Sequence, residues 1–274
     1  MTICIYHGNC ADGFGAAWVV RKALGNIEFH PGVYQNPPPD VTGKDVVMVD
    51  FSYKRPTLLQ MAAMANSMLI LDHHKTAIED LVDLPPNVQT TFDVEHSGSV
   101  LAWLHYFPHV EPPQLLLHIE DRDLWRFNIP FTREIQANVF SYPYDFVAWD
   151  ELMSKDPAVL IAEGSAIERK HFKDINELIK VVTRPMMIGG TLVDVANLPY
   201  TLTSDAGHAL AKGHPFAACY WDTPEGRVFS LRSTEEGADV SAVAKQYGGG
   251  GHRNAAGFRI SFNEAEKFEV ASHG

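Results

Sequence analysis

Three short apolar runs near the start of the chain constrain its fold more than any other feature. They cover residues 2–6, 46–49 and 68–71, and the helical patterns at 13–24 and 56–65 separate them. Short, continuously apolar strands that alternate with helices are typical of a parallel sheet with helices on both faces. The sequence therefore predicts an α/β fold in which the N-terminal domain is built on a parallel sheet.

The remainder of the chain is helical first and strand-rich afterwards. Residues 143–182 have the pattern of several helices, of which 158–179 is the longest. Strand-like runs follow at 193–198, 216–221, 228–232 and 257–262, with a short helix at 239–247 and a hairpin turn at 223–226. We expect an N-terminal domain at 1–127, a helical linker at 128–183 and a smaller C-terminal α/β domain with a mixed sheet at 184–274.

Composition narrows the class of protein. Hydrophobic residues make up 46 % and charged residues 20 % of the chain, which is the profile of a globular protein and not of a disordered one. No apolar run approaches the roughly 18 residues needed to span a bilayer, and the first residues lack the pattern of a signal peptide. Three cysteines match neither a disulfide framework nor a zinc motif. We therefore expect a cytoplasmic protein with reduced thiols and no membrane contact.

The net charge of −12 argues against a broad electrostatic grip on duplex DNA. It is compatible with a short anionic substrate, because clustered carboxylates bind cations and the cations then bind phosphate. Thirteen histidines, several of them beside acidic residues, indicate where such a cation site is to be sought.

Acidic and histidine side chains follow the predicted strands. His7 follows the first apolar run, Asp50 the second and Asp72-His73-His74 the third. The carboxyl ends of parallel strands meet at one edge of a sheet, where ligands bind. Neutral imidazole and carboxylate are good ligands for Mn²⁺ and similar ions, and one carboxylate can bridge two metal ions.

Plainer interpretations exist for each residue taken alone. Asp72-His73-His74 also fits a polar surface turn, whereas Asp12 and Asp50 fit caps of the helices or turns that follow them. Ser97 and Ser99 open a predicted helix and are more typical of a cap than of a substrate contact. The coincidence of several such residues at predicted strand ends favours a metal site.

The ordered motifs resemble the DHH phosphoesterase superfamily. His7-Gly8-Asn9-Cys10-Ala11-Asp12-Gly13, Val49-Asp50, Asp72-His73-His74 and Asp121 are similar to its four-motif series, and the glycine-rich run 248–258 resembles its DHH-associated C-terminal domain. The superfamily includes RecJ-like nucleases, nanoRNases, cyclic-dinucleotide phosphodiesterases, family II pyrophosphatases and exopolyphosphatases. The resemblance spans nearly the whole chain and implies a DHH catalytic domain, a linker and a substrate-binding domain.

The resemblance also implies roles for individual residues. One Mn²⁺ ion would be held by His7 and Asp50, and a second by Asp12, Asp50, His73 and Asp121. As catalytic residues, His74 would contact the phosphate and Asp72 would orient the histidine pair. Asp123 competes with Asp121 for the last position, and we prefer Asp121 because it follows the apolar run more closely. Cys10 departs from the superfamily pattern, H-x-x-x-D-x-D, and is either a further candidate ligand or a small packing residue.

The C-terminal domain is expected to bind the substrate. A run of glycines lets the backbone approach a phosphate, and arginine and histidine side chains can add charge-assisted hydrogen bonds. The candidates are Arg232, Gly249, Gly250, Gly251, His252 and Arg253. The plainer interpretation of the glycine run is a flexible loop.

These patterns predict a metal-dependent phosphoesterase. We expect Mn²⁺-dependent exonucleolytic hydrolysis of short oligonucleotides or small dinucleotides such as pApA, from an end held by the C-terminal domain. One alternative is an exopolyphosphatase acting on inorganic polyphosphate, and another is a non-catalytic module that binds a phosphate ligand. A homodimer is one option for the assembly.

Overall fold

The computed structural model describes residues 1–269, and the chain divides into two compact units, Met1–Arg169 and Lys170–Gly274. The strands of the first unit are β1 Thr2–His7, β2 Glu28–Gly32, β3 Asp45–Val49, β4 Ser67–Asp72 and β5 Val88–Phe92. Its helices are α1 Ala11–Leu24, α2 Arg55–Met64, α3 Lys75–Asp80, α4 Gly98–Tyr106, α5 Gln114–Asp123, α6 Thr132–Val139 and α7 Phe146–Ser154. The boundary between the units falls within the longest helix, α8 Pro157–Val182.

The first unit is built on a five-stranded parallel sheet in the order β2-β1-β3-β4-β5. Side chains alternate across β1: Ile3 and Ile5 are buried on one face, whereas Cys4 is buried on the other. The same alternation along β3 places Val46 and Val47 in different cores. Because both faces are covered, the apolar runs carry no polar alternation, and the predicted parallel sheet is confirmed.

The sequence patterns did not predict the two edge strands of this sheet or one short helix. Strand β2 contains Pro31 and Gly32, which weaken a strand pattern, and β5 is largely exposed and polar. Helix α3 spans only six residues and follows directly on His74. Segments that are short and half-exposed lack the periodic apolar signal on which a sequence prediction depends.

The helical segment after the sheet packs into the first unit. Ile135 of α6, Trp149 of α7 and Leu160 of α8 belong to the buried cluster that also contains residues of α1 and α4. The expected long helix is confirmed as α8. The separate functions given to 1–127, 128–183 and 184–274 stay predictions.

The second unit contains a mixed six-stranded sheet in the order β10-β11-β9-β8-β7-β6. Its strands are β6 Thr183–Ile188, β7 Thr191–Asn197, β8 Ala217–Thr223, β9 Gly226–Arg232, β10 Gly250–Gly251 and β11 Ala255–Ile260. Its helices are α9 Thr203–Leu210, α10 Val240–Lys245 and α11 Phe262–Ala265, with 3-10 turns at Tyr200–Leu202 and Glu266–Phe268. Among the strand pairs within residues 183–260, only β7 and β8 pair in parallel, and the predicted hairpin turn joins β8 to β9. Strand β6, which the sequence pattern did not indicate, lies at the sheet edge.

Within residues 1–269, every helix is too short or too polar to cross a membrane.

Candidate metal centre

Asp50 lies at the centre of the polar cluster at the carboxyl edge of the parallel sheet. It follows β3 directly, is 1 % exposed and adopts a left-handed backbone with φ of 54°. A non-glycine residue held at positive φ carries strain that its surroundings must hold in place. The backbone N–H of Asp50 donates to the carbonyl of Leu71 at 2.9 Å, which ties this turn to the neighbouring strand.

A first group of candidate ligands comprises Asp12, Asp50 and His73, all buried. Nε2 of His73 lies 3.0 Å from Oδ1 of Asp50 and 3.8 Å from Oδ2 of Asp12. The three ligand atoms lie within 4.8 Å of one another, close enough for a single ion to contact all three.

A second group shares Asp50 and adds His7 and His74. Nδ1 of His7 lies 3.3 Å from Oδ2 of Asp50, whereas the first group uses the Oδ1 side of that carboxylate. Asp50 therefore has the position that a carboxylate bridging two ions would require. The sequence placed His7 and Asp50 together, and the structure adds His74 to their surroundings.

Asp72 holds the histidine pair in position. Its Oδ1 accepts hydrogen bonds from the backbone N–H groups of His73 and His74 at 2.8 and 3.2 Å and lies 2.7 Å from Nδ1 of His74. Its Oδ2 accepts from the hydroxyl of Ser52 at 2.9 Å. With Nδ1 of His74 engaged by Asp72, any bond from His74 to a phosphate would use Nε2. Ser52 carried no sequence signal.

The N-terminus of α4 holds Asp12. Its carboxylate accepts hydrogen bonds from the Ser97 hydroxyl at 2.6 Å and from the backbone N–H groups of Gly98 and Ser99 at 2.6 and 3.0 Å. Ser97 also caps its own helix, as predicted, and in addition orients Asp12. Gly98 is needed because a Cβ there would lie 2.3 Å from Cβ of Asp50.

The structure places Asp123, and not the preferred Asp121, beside His73. Oδ2 of Asp123 lies 3.6 Å from Nε2 of His73. Both carboxylate oxygens of Asp121 instead accept hydrogen bonds from the segment that follows α5. The donors are the backbone N–H groups of Asn128 and Ile129 and the hydroxyl of Thr132. Asp123 therefore replaces Asp121 as the candidate ligand.

Tyr34 is a component of the site that the sequence did not indicate. Its ring packs against Phe51 with a centroid distance of 4.8 Å and meets the rings of His7 and His74 at 5.4 and 6.1 Å. Burial, with the charges of Asp72 and Asp50, raises the pKa of Tyr34 well above its usual value. The phenol is thus neutral and forms an aromatic wall beside both imidazoles.

The charged groups of the polar cluster around Asp50 shift one another's pKa values. Burial lowers the pKa of His73, but the hydrogen bond to Asp50 and the charges of Asp123, Asp50 and Asp12 outweigh it and raise that pKa to about 10. Burial and the charges of Asp50 and Asp123 raise the pKa of Asp12 to about 8. Both shifts favour the protonated forms, because negative charge is crowded where a divalent cation would neutralise it.

The donor set fits a hard or borderline divalent ion. Carboxylate oxygen and imidazole nitrogen suit Mn²⁺, Zn²⁺ and related ions. Oδ2 of Asp50 and Nδ1 of His7 are buried, and neither makes a hydrogen bond of good geometry within residues 1–269. Buried polar atoms of this kind need a partner, and a bound cation supplies one.

Cys10 lies beside His7 and precedes α1 as its N-cap residue, without a side-chain cap bond. Burial raises the pKa of its thiol, while a hydrogen bond with His7 opposes the rise. Within the described part of the chain, Cys10 belongs to neither group of candidate ligands. Its role as a ligand stays a prediction.

The glycine-rich segment of the second unit forms a tight sheet edge. Gly250 and Gly251 pair with β11, and a Cβ on Gly249 would lie 2.0 Å from the carbonyl oxygen of Gly257. The N–H groups of Gly249 and His252 donate to the carbonyls of Ala244 and Ala255, so these two amides are bonded to the backbone of their own unit.

Two arginines were also expected to bind substrate in this unit. The Arg232 guanidinium donates to the Leu231 carbonyl and to the Ser204 hydroxyl, which holds it against α9. Arg253 is exposed and donates to the carbonyl of Gly237. Substrate binding by Arg232, Arg253, His252 and the glycines stays a prediction.

Several solved structures of other proteins are similar to this chain. The structure titled pGpG-specific phosphodiesterase PggH from Vibrio cholerae has a TM-score of 0.50 and 14 % identity, covering 97 % of this chain and 95 % of that one. The structure of RecJ in complex with Mn²⁺ from Thermus thermophilus has a TM-score of 0.48 and 14 % identity, covering 96 % of this chain and 50 % of that one. No family model matches the sequence.

The two-unit α/β architecture is shared with the Vibrio structure, which confirms the predicted resemblance at the level of the fold. The chain is 32 % identical to uncharacterized protein R106 of Acanthamoeba polyphaga mimivirus over 289 positions, covering 94 % of this chain and 67 % of the relative. It belongs to the family of that protein.

Proposed function

We propose that the chain is a Mn²⁺-dependent phosphoesterase acting on dinucleotides and short oligonucleotides. The observation that carries the proposal is the buried group formed by Asp12, Asp50 and His73, with Asp123 beside it, at the carboxyl edge of a parallel sheet. The Vibrio structure with this fold is named a pGpG-specific phosphodiesterase, which supports a dinucleotide as the first substrate to test.

The residues present suit an in-line hydrolysis. Asp12, Asp50, His73 and Asp123 would hold one ion, and His7 with Asp50 a second. A divalent ion in such a site lowers the pKa of water and offsets the charge of phosphate oxygens. Asp72 fixes the orientation of His74, so that the imidazolium form, which carries a second N–H at Nε2, can donate a hydrogen bond to a phosphate oxygen. The 1 % exposure of Asp50 and His73 strengthens these interactions, because little water reaches them.

Substrate preference is tested with matched panels. The purified protein with Mn²⁺ is incubated with di- to pentanucleotides and with inorganic polyphosphate, and products are separated by anion-exchange chromatography. We expect hydrolysis of pApA and of short RNA. Phosphate release from polyphosphate with RNA left intact would instead establish an exopolyphosphatase.

Catalysis at the proposed site is tested by His74→Ala. This variant keeps Asp12, Asp50 and His73, so it is expected to bind Mn²⁺ while losing most of its hydrolytic rate. A wild type that binds Mn²⁺ but hydrolyses no phosphoester in the panel would favour the non-catalytic binding module. The cytoplasmic location and a homodimer remain part of the proposal and are checked by fractionation and light scattering.

A further inference from the structure

The segment that follows α5 is unusually strained. Trp125, Phe127 and Phe131 all adopt left-handed backbone conformations, with φ of 57°, 51° and 67°. Bulky residues avoid this region because the side chain crowds the backbone. Strain of this kind persists only where the surrounding structure imposes it, and it concentrates at functional sites.

Asp121 imposes this conformation. Its backbone carbonyl accepts hydrogen bonds from the N–H groups of Arg126 and Phe127 at 2.8 and 3.2 Å. Its carboxylate accepts from the N–H groups of Asn128 and Ile129 at 2.8 and 3.1 Å. One buried aspartate thus satisfies four successive amides and fixes the loop that begins immediately after Asp123.

Trp125 and Phe127 of this loop form an aromatic–arginine cluster with three residues outside it, Arg122 of α5, Arg133 of α6 and Phe140 directly after α6. The Arg133 guanidinium lies 3.7 Å from the centroid of the Phe127 ring. The Arg122 guanidinium lies 5.4 Å from the Trp125 ring and 4.9 Å from the Phe140 ring. Phe140 is 47 % exposed, and Trp125 and Phe127 are half-buried. Cationic planes and aromatic rings therefore alternate at the protein surface.

We propose that the aromatic–arginine cluster binds a nucleobase of the substrate by stacking. Nucleobases stack on aromatic rings and on arginine planes with little dependence on sequence. Trp125 lies two residues after Asp123, so their Cα atoms are at most about 7 Å apart. The cluster therefore begins next to a candidate metal ligand, which is where the base of a substrate held at that ligand would stack. This inference rests on the proposed function and narrows its substrate to one that carries a base.

The aromatic–arginine cluster would add little to the binding affinity for inorganic polyphosphate. It has no flat π-face, so only the charges of Arg122 and Arg133 would attract it, and both guanidinium groups already lie over aromatic rings. The cluster thus distinguishes nucleotide from polyphosphate by chemistry that is separate from the metal centre.

The test compares two ligands that differ only in the base. Binding of AMP and of ribose 5-phosphate is measured by titration calorimetry in the presence of Mn²⁺, for wild type, Trp125→Leu and Phe127→Leu. Leucine keeps an apolar side chain but removes the π-face. We expect wild type to bind AMP about tenfold more tightly than ribose 5-phosphate, since stacking of one base is equivalent to about a 5- to 150-fold gain in affinity. Each leucine variant should lose most of that preference, with ribose 5-phosphate unaffected.

Conservative and distant variants complete the design. Trp125→Phe and Phe127→Tyr retain a ring and should keep the AMP preference, whereas Phe262→Ala, which removes an exposed aromatic ring of the second unit, should change neither affinity. Equal binding of the two ligands by wild type, or equal weakening of both in the leucine variants, would overturn the inference.

A parallel assay of pApA hydrolysis separates this inference from the proposed function. Base preference without hydrolysis refutes only the enzymatic proposal. Hydrolysis without base preference refutes only the stacking site.

Discussion

Asp121 and Asp123 show how two carboxylates on one helix take different roles. Successive helical residues are about 100° apart around the axis, so residues two positions apart project to nearly opposite sides. The Asp123 carboxylate lies beside His73, whereas the Asp121 carboxylate accepts hydrogen bonds from backbone amides of the loop that follows α5. Distance along the sequence from an apolar run cannot decide between them, because the rotation of the helix does.

Replacing either aspartate with asparagine should have a different consequence, on Mn²⁺ binding for Asp123 and on stability for Asp121. Asp123→Asn should weaken Mn²⁺ binding by at least about 10- to 100-fold, the loss typical of an outer-shell partner of a metal, and leave thermal stability nearly unchanged. Asp121→Asn replaces one acceptor with a donor among the loop amides, so it should reduce the free energy of unfolding by about 1–3 kcal/mol. Calorimetric Mn²⁺ titration and thermal unfolding measure the two effects. The reverse pattern, with metal binding lost only in the Asp121 variant, would restore Asp121 as the ligand.

Two substitutions of Tyr34 distinguish the packing of its ring beside the metal centre from hydrogen bonding by its hydroxyl. Tyr34→Phe keeps the ring that contacts Phe51, His7 and His74, so Mn²⁺ affinity should stay within about twofold of wild type. Tyr34→Ala removes the ring and should reduce the free energy of unfolding by about 3–5 kcal/mol at most. Its Mn²⁺ binding should also be weaker, because the imidazoles of His7 and His74 lose the ring that packs against them. Thermal unfolding and Mn²⁺ titration compare the three proteins. An equal loss of stability and Mn²⁺ affinity in Tyr34→Phe and Tyr34→Ala would show that the hydroxyl, and not the ring, supports the site.

Among the elements, α4 shapes the centre more than its sequence suggests. Its N-terminus supplies two amides and a hydroxyl to Asp12, and the absence of a side chain at Gly98 admits Asp50. The helix dipole adds positive potential at this end and stabilises the carboxylate.

Gly98→Ala tests that contact. The added Cβ would lie 2.3 Å from Cβ of Asp50, so helix and carboxylate must separate. Overpacking of this kind costs about 1–3 kcal/mol, and the displaced Asp50 should also bind Mn²⁺ more weakly. Gly43→Asn is the control, since Gly43 has open space around its Cβ position and asparagine tolerates its φ of 66°. Wild-type Mn²⁺ affinity in Gly98→Ala would show that this close packing is not required.

The elements predicted from the sequence are those with a continuous buried pattern. Strands β1, β3 and β4 are buried on both faces, so both their existence and the residues at their ends could be inferred. That inference alone brought His7, Asp50 and Asp72 to one edge. The contributions of Ser52, Gly98 and Tyr34 depend on contacts between distant segments, which no local pattern encodes.

At the scale of the whole molecule, the metal centre lies in a unit whose stability should depend on the ion. Several carboxylates and imidazoles are buried at one sheet edge, and a cation that binds only the folded unit shifts the folding equilibrium by mass action. At about 100 times its Kd, Mn²⁺ should stabilise the fold by about 2.7 kcal/mol and raise the midpoint of thermal unfolding by roughly 5–10 °C. Excess EDTA should reverse the shift.

The same shift identifies where the ion binds. His73→Ala removes a ligand grouped with Asp12 and Asp50, so its unfolding midpoint should respond markedly less to Mn²⁺ than that of the wild type, whatever the starting stability of the variant. Asp222→Asn is the matched control: it removes a carboxylate that pairs with Arg227 in the second unit, and it should keep the full response. A Mn²⁺-induced shift of wild-type size in His73→Ala would mean that the ion stabilises the protein from another site, because a ligand deletion at the proposed centre must reduce the affinity on which the shift depends.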